Sequence, residues 1–255
     1  MGDESADAGT DPRPAVAVFR PDDDRLATAV ALLEDLGVEP VADPMLAVEP
    51  TGERPRTDAA YTILTSKTGA ELVAGTGWEP AGTLCAIGDT TAEALRAAGF
   101  DVDAVPAEFS SSGLVERLRD EVDGAPVEVA RSDHGSDVLL NGLIDAGAYV
   151  HETILYRLVR PDGAGVSAQR AADGALDAAL FTSSLTVEHF LDAAAERGVR
   201  EAALAGLNDA VVGTIGDPTR ETAEELGIEV DVVAPTADFE ALARAVVERL
   251  ADFRR

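Results

Sequence analysis

Hydroxyl-bearing residues recur in short polar loops, each just ahead of an amphipathic stretch: Thr65-Ser66, Thr90-Thr91, Thr182-Ser183-Ser184 and Thr219. Such loops open helices, where free backbone N–H groups and the helix dipole attract anions. A single loop of this kind is explained by ordinary capping with Ser, Thr or Asp. Several of them, two with a glycine at the turn (Gly88 and Gly216), point together to a ligand with several negative charges. Basic residues at comparable positions are Arg20, Lys67 and Arg131, with Arg157 further on. Either these gather round the ligand or they pair with surface acids; both outcomes are open at the level of sequence.

Other chemistries lack their residues. Cys85 is the single cysteine, which excludes an internal disulfide and any two-thiol chemistry. His134, His151 and His189 stand apart, without the spacing of a metal site. Arg131-Ser132-Asp133-His134 invites a Ser–His–Asp triad, but no nucleophile elbow accompanies it. Asp22-Asp23-Asp24 reads as an acidic helix start rather than a metal cluster. Gly163-Ala164-Gly165-Val166-Ser167-Ala168 loosely matches a dinucleotide fingerprint, yet it follows no core strand and reads as a linker. Around Lys67 the glycine frame of a phosphate loop is missing. The sequence predicts no metal and no cofactor.

The elements that must carry these loops alternate. Apolar runs at Ala15–Phe19, Tyr61–Leu64, Leu84–Ile87, Val127–Ala130, Ala178–Phe181 and Val211–Ile215 predict strands, each followed by a polar loop and a helical segment. Leu26, Ala29, Val30, Leu33 and Leu36 recur at helical spacing, and Gly37 ends that helix. This alternation predicts parallel sheets with helices on both faces. Ligands of such sheets bind beyond the carboxyl ends of the strands, which is where the hydroxyl-rich loops fall.

An internal repeat runs through the pattern. Ala86-Ile87-Gly88-Asp89-Thr90-Thr91 matches Thr214-Ile215-Gly216-Asp217-Pro218-Thr219 at a shift of 128 residues (216 − 88). Gly99, Asp103 and Val105 meet Gly227, Asp231 and Val233 at the same shift. Leu64-Thr65-Ser66 matches Phe181-Thr182-Ser183, and Arg20 to Gly37 matches Arg131 to Gly147. Two similar α/β domains follow, either in sequence or with the chain crossing between them twice, near Val41–Pro50 and Val150–Arg160.

Composition sets the boundaries of function. Of 255 residues 46% are hydrophobic, enough for a sizeable core, and no apolar run approaches the roughly 20 residues of a membrane span. Twenty basic against 48 acidic residues leave a net charge of −28, which argues against nucleic acid and anionic membrane partners. Lys67 is the sole lysine and aromatics make up 4%; with the excess of acid this reads as adaptation to high salt, or as codon bias favouring Arg, Ala, Gly and Asp. No export signal opens the chain, so a cytoplasmic protein is expected. A monomer is expected too, no sequence feature suggesting a stable protein partner.

Five stretches resemble the uroporphyrinogen-III synthase family: Leu64-Thr65-Ser66-Lys67; Ala86-Ile87-Gly88-Asp89-Thr90-Thr91-Ala92-Glu93-Ala94-Leu95 with Gly99; Tyr156-Arg157; Phe181-Thr182-Ser183-Ser184 with Val187 and Phe190; and Ile215-Gly216-Asp217-Pro218-Thr219 with Gly227. The resemblance implies two similar doubly wound, flavodoxin-like parallel-sheet domains joined by a two-stranded hinge. The expected boundaries are an acidic disordered tail at 1–13, a first domain of 14–40 plus 161–255, a second of 51–149, and hinge strands at 41–50 and 150–160. It also implies a cofactor-free lyase that closes hydroxymethylbilane, a linear tetrapyrrole octa-acid, with loss of water and inversion of the terminal pyrrole. By position, Tyr156 matches the family's hinge tyrosine and would give a proton to the departing hydroxyl. Thr91 and Thr219 would hold substrate side chains, with Gly88 and Gly216 in their loops; Thr65, Ser66, Thr182, Ser183, Arg20 and Arg131 complete the expected set. The sequence departs from the family pattern at Lys67, and Asp89 and Asp217 place acids in loops expected to meet carboxylates. A non-catalytic two-domain sensor of an anionic metabolite is the competing expectation.

Overall fold

The computed structural model describes residues 12–253. In chain order the elements are β1 (Ala15–Val18), α1 (Asp24–Asp35), β2 (Glu39–Ala42), β3 (Ala47–Pro50), β4 (Tyr61–Leu64), α2 (Lys67–Val73), β5 (Thr83–Ala86), α3 (Asp89–Ala97), α4 (Ser111–Leu118) and β6 (Pro126–Ser132). They continue with α5 (Asp137–Asp145), β7 (Tyr149–Val159), α6 (Val166–Ala172), β8 (Ala178–Phe181), α7 (Ser184–Glu196), α8 (Arg200–Asn208), β9 (Val211–Thr214), α9 (Asp217–Glu225), β10 (Val232–Val233) and α10 (Phe239–Phe253). Most of the expected tail, 1–13, lies outside the described residues; Pro12 and Arg13 are exposed.

The chain forms two compact units, one of Met1–Ala47 with Val159–Arg255 and one of Val48–Leu158. In the first, the sheet order is β10-β9-β8-β1-β2. Its pairings are all parallel. The order is doubly wound, with the switch in strand direction of travel between β1 and β8. In the second the order is β3-β7-β6-β4-β5, and the pairs β4–β5, β4–β6 and β6–β7 are parallel. A lone bridge from Cys85 to Ala104 stands where β10 stands in the first sheet. The second sheet is therefore the first one permuted: β6 and β7 take the places of β1 and β2, and β4 and β5 those of β8 and β9.

Both faces of each sheet are buried, which explains the continuous apolar strands. Along β1 and its end, Ala15, Ala17 and Phe19 pack on one face and Val16 and Val18 on the other. Phe19 stacks on Phe181 with ring centroids 4.6 Å apart, and Phe190 meets both rings edge-on. Full burial of each ring contributes about 1.5–3 kcal/mol.

The repeat persists down to single hydrogen bonds. Asp103 Oδ2 accepts the Leu84 amide at 2.8 Å, and 128 residues on Asp231 Oδ2 accepts the Val212 amide at 2.9 Å. Gly99 and Gly227 end α3 and α9 with φ of +92° and +88°, a left-handed turn that glycine makes at no steric cost.

Segment 41–50 is not one hinge strand. Val41 and Ala42 complete β2 inside the first sheet, whereas 47–50 form β3 beside β7. Likewise β7, expected as the other hinge strand, is an 11-residue strand hydrogen-bonded to β6 over most of its length. Main-chain pairing drew both segments into the sheets, because an isolated two-stranded ribbon leaves its outer hydrogen-bonding groups without partners.

Candidate functional site

Within the Val48–Leu158 unit a cavity of about 250 Å³ opens at the carboxyl ends of β4 and β6, the switch point of that sheet. Thr65 and Ser66 reach it from the β4 end, Ile87 from the β5 end, Arg131 from β6 and Tyr156 from β7. Tyr156 is 6% exposed and its hydroxyl donates to Ser66 Oγ at 2.9 Å. Ser66 is the N-cap of α2, its Oγ accepting the Gly69 amide at 3.0 Å. The phenol is thus connected through one hydroxyl to the start of a helix.

An irregularity in the sheet aims this tyrosine. The β6–β7 register runs Arg131 to Ile154 and then Ser132 to Tyr156, skipping Leu155. Leu155 and Tyr156 consequently pack in the same apolar cluster rather than on opposite faces. A bulge that re-aims a side chain is a common device beside binding sites.

Arg131 resolves both outcomes left open above: it lines the cavity and is also paired. Its guanidinium, 6% exposed, bonds Glu152, the Ser136 carbonyl at 2.7 Å and Asp137 at 3.4 Å. Lys67 instead pairs with Glu71 at 3.5 Å on α2. Arg157 lies in a separate surface concavity with Glu49, Glu53 and Glu152. Within this unit the three expected cations Lys67, Arg131 and Arg157 therefore do not converge.

Gly88 and Thr91 sit one strand over, at the start of α3, outside the cavity lining. Gly88 gives no side-chain cap, so the first amides of α3 carry no such partner, and Thr91 is 4% exposed. Gly216 and Thr219 repeat this at α9, Thr219 again being 4% exposed. Asp89 and Asp217 point outward as exposed first-turn acids, Asp217 pairing with Arg220 at 3.0 Å.

In the other unit, Arg20 follows β1, and Thr182 and Ser183 follow β8, so they flank that sheet's switch point. Ser183 caps α7, accepting the Thr186 amide at 3.3 Å. The Arg20 guanidinium lies 5.0 Å from the Phe239 ring centroid. Burial and the neighbouring Arg25 charge lower its pKa, against the opposing pull of Asp23.

Ser111 and Ser136, which the sequence did not single out, also line the cavity, as do Ser132 and His134, weighed above only as members of a triad. Their position at strand and helix ends was the available signal. No group of three or more His, Cys, Asp or Glu that could hold a metal occurs among the described residues.

Fold and cavity define a class: two permuted doubly wound α/β units that carry hydroxyl-rich, helix-opening loops at their strand ends. The sequence profile of HEM4, described as uroporphyrinogen-III synthase HemD, matches residues 27–244. A provisionally named uroporphyrinogen-III synthase of Methanothermobacter thermautotrophicus is 30% identical over 230 residues, 84% of this chain and 90% of that protein. A crystal structure of a mutant uroporphyrinogen III synthase from Thermus thermophilus superposes with a TM-score of 0.64 at 20% identity, covering 94% of this chain and 99% of that one. The Helicobacter pylori uroporphyrinogen-III synthetase gives 0.60 at 17%, covering 95% and 100%. At these identities the two structures speak for the fold. The chain belongs to the uroporphyrinogen-III synthase family.

Proposed function

We propose that this chain is a uroporphyrinogen-III synthase acting as a lyase: it closes hydroxymethylbilane into the macrocycle with loss of water and inversion of the last pyrrole. The observation that carries the reading is the buried Tyr156 hydroxyl at the switch-point cavity, hydrogen-bonded to a helix-capping serine. Tyr156 donates its proton to the departing hydroxyl as the C–O bond breaks; the resulting azafulvene cation is attacked by the terminal pyrrole to give a spiro intermediate, the old C–C bond joining that pyrrole to its neighbour breaks, and the ring recloses with the pyrrole turned over. Thr65, Ser66 and Arg131 bind beside it. The α3 start (Gly88, Thr91) and, in the other unit, Arg20, Thr182, Ser183, Gly216 and Thr219 offer hydroxyls, amides and a guanidinium to substrate carboxylates. No step needs an external oxidant or reductant, since closure overall replaces one C–O and one C–H bond by one C–C bond and an O–H bond of water. Holding a flexible chain in one geometry is the larger share of the work.

The protein works as a monomer in the cytoplasm of a salt-adapted cell. At about 1 M salt the screening length is about 3 Å, so the −28 net charge no longer repels an octa-acid while short hydrogen bonds persist. No helix among the described residues is long and apolar enough to cross a membrane.

Product analysis with freshly made hydroxymethylbilane in molar salt tests the reading. The type III isomer is expected; only type I, as in an enzyme-free control, overturns it.

A further inference from the structure

The cavity holds one group for which the steps above have no use. His134 follows β6, in the loop before α5, and lines the cavity with Tyr156, Ser66 and Arg131. Its Nδ1 lies 2.8 Å from Asp133 Oδ1. The same oxygen accepts the Leu158 amide at 3.0 Å, and the Asp133 amide donates to the Tyr156 carbonyl at 3.3 Å. Asp133 is therefore tied to the strand that carries Tyr156. Burial alone would raise its pKa, but the His134 and Leu158 donors outweigh it and hold the carboxyl below the usual carboxylate range. An anion at this place favours the tautomer with Nδ1–H, in which Nε2 carries the lone pair.

The charged and titratable groups facing His134 are Asp133 from its own loop, Arg131 from β6 and Tyr156 from β7. The β4 and β5 ends and α4 contribute Thr65, Ser66, Ile87 and Ser111, none of them charged. Arg131 is neutralised by Glu152 and Asp137.

We propose that the Asp133–His134 pair is the base of the reaction: His134 Nε2 removes the proton from the pyrrole carbon at which the ring finally closes. This rests on the synthase reading. The balance is closed. Tyr156 gives one proton to the hydroxyl, which leaves as water. The new C–C bond forms at a carbon that still bears hydrogen; its C–H electron pair returns to the pyrrole as the proton passes to Nε2. That proton goes to solvent, and Tyr156 regains one from solvent.

The test uses the full chain, fresh hydroxymethylbilane and molar salt. Wild-type protein is assayed first; a type I product alone ends the synthase reading itself. With type III formed by the wild type, His134→Gln is expected to lower kcat about 100-fold with KM little changed, and to abolish the acid-side limb of the kcat–pH profile. Added imidazole is expected to restore part of kcat in His134→Ala, and Asp133→Asn to lower kcat by a smaller factor. The side chain of His134 is 45% exposed, so its removal spares the fold, and circular dichroism checks this. A His134→Gln enzyme with wild-type kcat and pH profile overturns the proposal. So does a rise in KM alone that His134→Lys repairs, the signature of a cation that merely binds carboxylate.

Discussion

Tyr156 spends its only proton on Ser66 Oγ in the structure, and Ser66 has a second donor in the Gly69 amide. Removing the phenol oxygen therefore leaves Ser66 capped to its helix. Tyr156→Phe is expected to keep its melting temperature within a few degrees, a lost neutral hydrogen bond being worth about 1 kcal/mol. Its kcat should fall about 100-fold with little change in KM, read by steady-state kinetics on fresh substrate. Cys85 shows the opposite kind of residue. Burial, then the nearby Asp103 charge, push its thiol up to about 12. At pH 8 it is a thiol without exposed surface, so a disulfide reagent is expected to leave it untouched in the native protein and to titrate one thiol after denaturation.

Elements here are held by caps that come from far along the chain. Asp43, 2% exposed and just past β2, accepts the Gly165 amide at 2.9 Å, the Ser167 amide at 2.8 Å and the Ser167 hydroxyl. It caps α6 across 122 residues of sequence and joins the two segments by which the chain leaves and re-enters this unit. Asp43→Ala strands these donors in a buried place and is expected to cost about 3 kcal/mol, read from the urea midpoint of this unit. Asp103 and Asp231 form the matching element-level pair. Each replaced by Asn should lose about 1–2 kcal/mol from its own unit, in similar amounts because the hydrogen bond is the same.

At the scale of the molecule, charge dominates. Ion pairs such as Lys67–Glu71 and Arg244–Glu240 are exposed, i to i+4 along their helices, and worth little singly. They offset only a part of 48 acidic residues facing 20 basic ones. Self-repulsion of like charge opposes the compact state and is relieved by counterions. The melting temperature is expected to rise by several degrees between 0.1 and 2 M potassium chloride, in a thermal denaturation series. A flat response would remove the salt-adapted part of the functional reading.

The alternation of strand and helix, the loops at strand ends and the repeat of 128 residues were all legible in the sequence, because local periodicity and turn chemistry write them residue by residue. Thr91 and Thr219 are legible for the same reason: both fall at one step of a repeat. The aim of Tyr156 was not. It depends on a one-residue slip between β6 and β7, which no pattern within either strand encodes. That 41–50 and 150–160 are extended was legible; that 41–42 and 47–50 divide between two sheets and that β7 pairs with β6 was not, since it is set by which main-chain groups are left to pair once the sheets assemble. His134 stood in plain view as a residue, yet its neighbours in space, Ser66 and Tyr156, lie 68 and 22 positions away. Sequence spells what is local; only the closing of the β4–β6–β7 sheet brings those three side chains to one cavity.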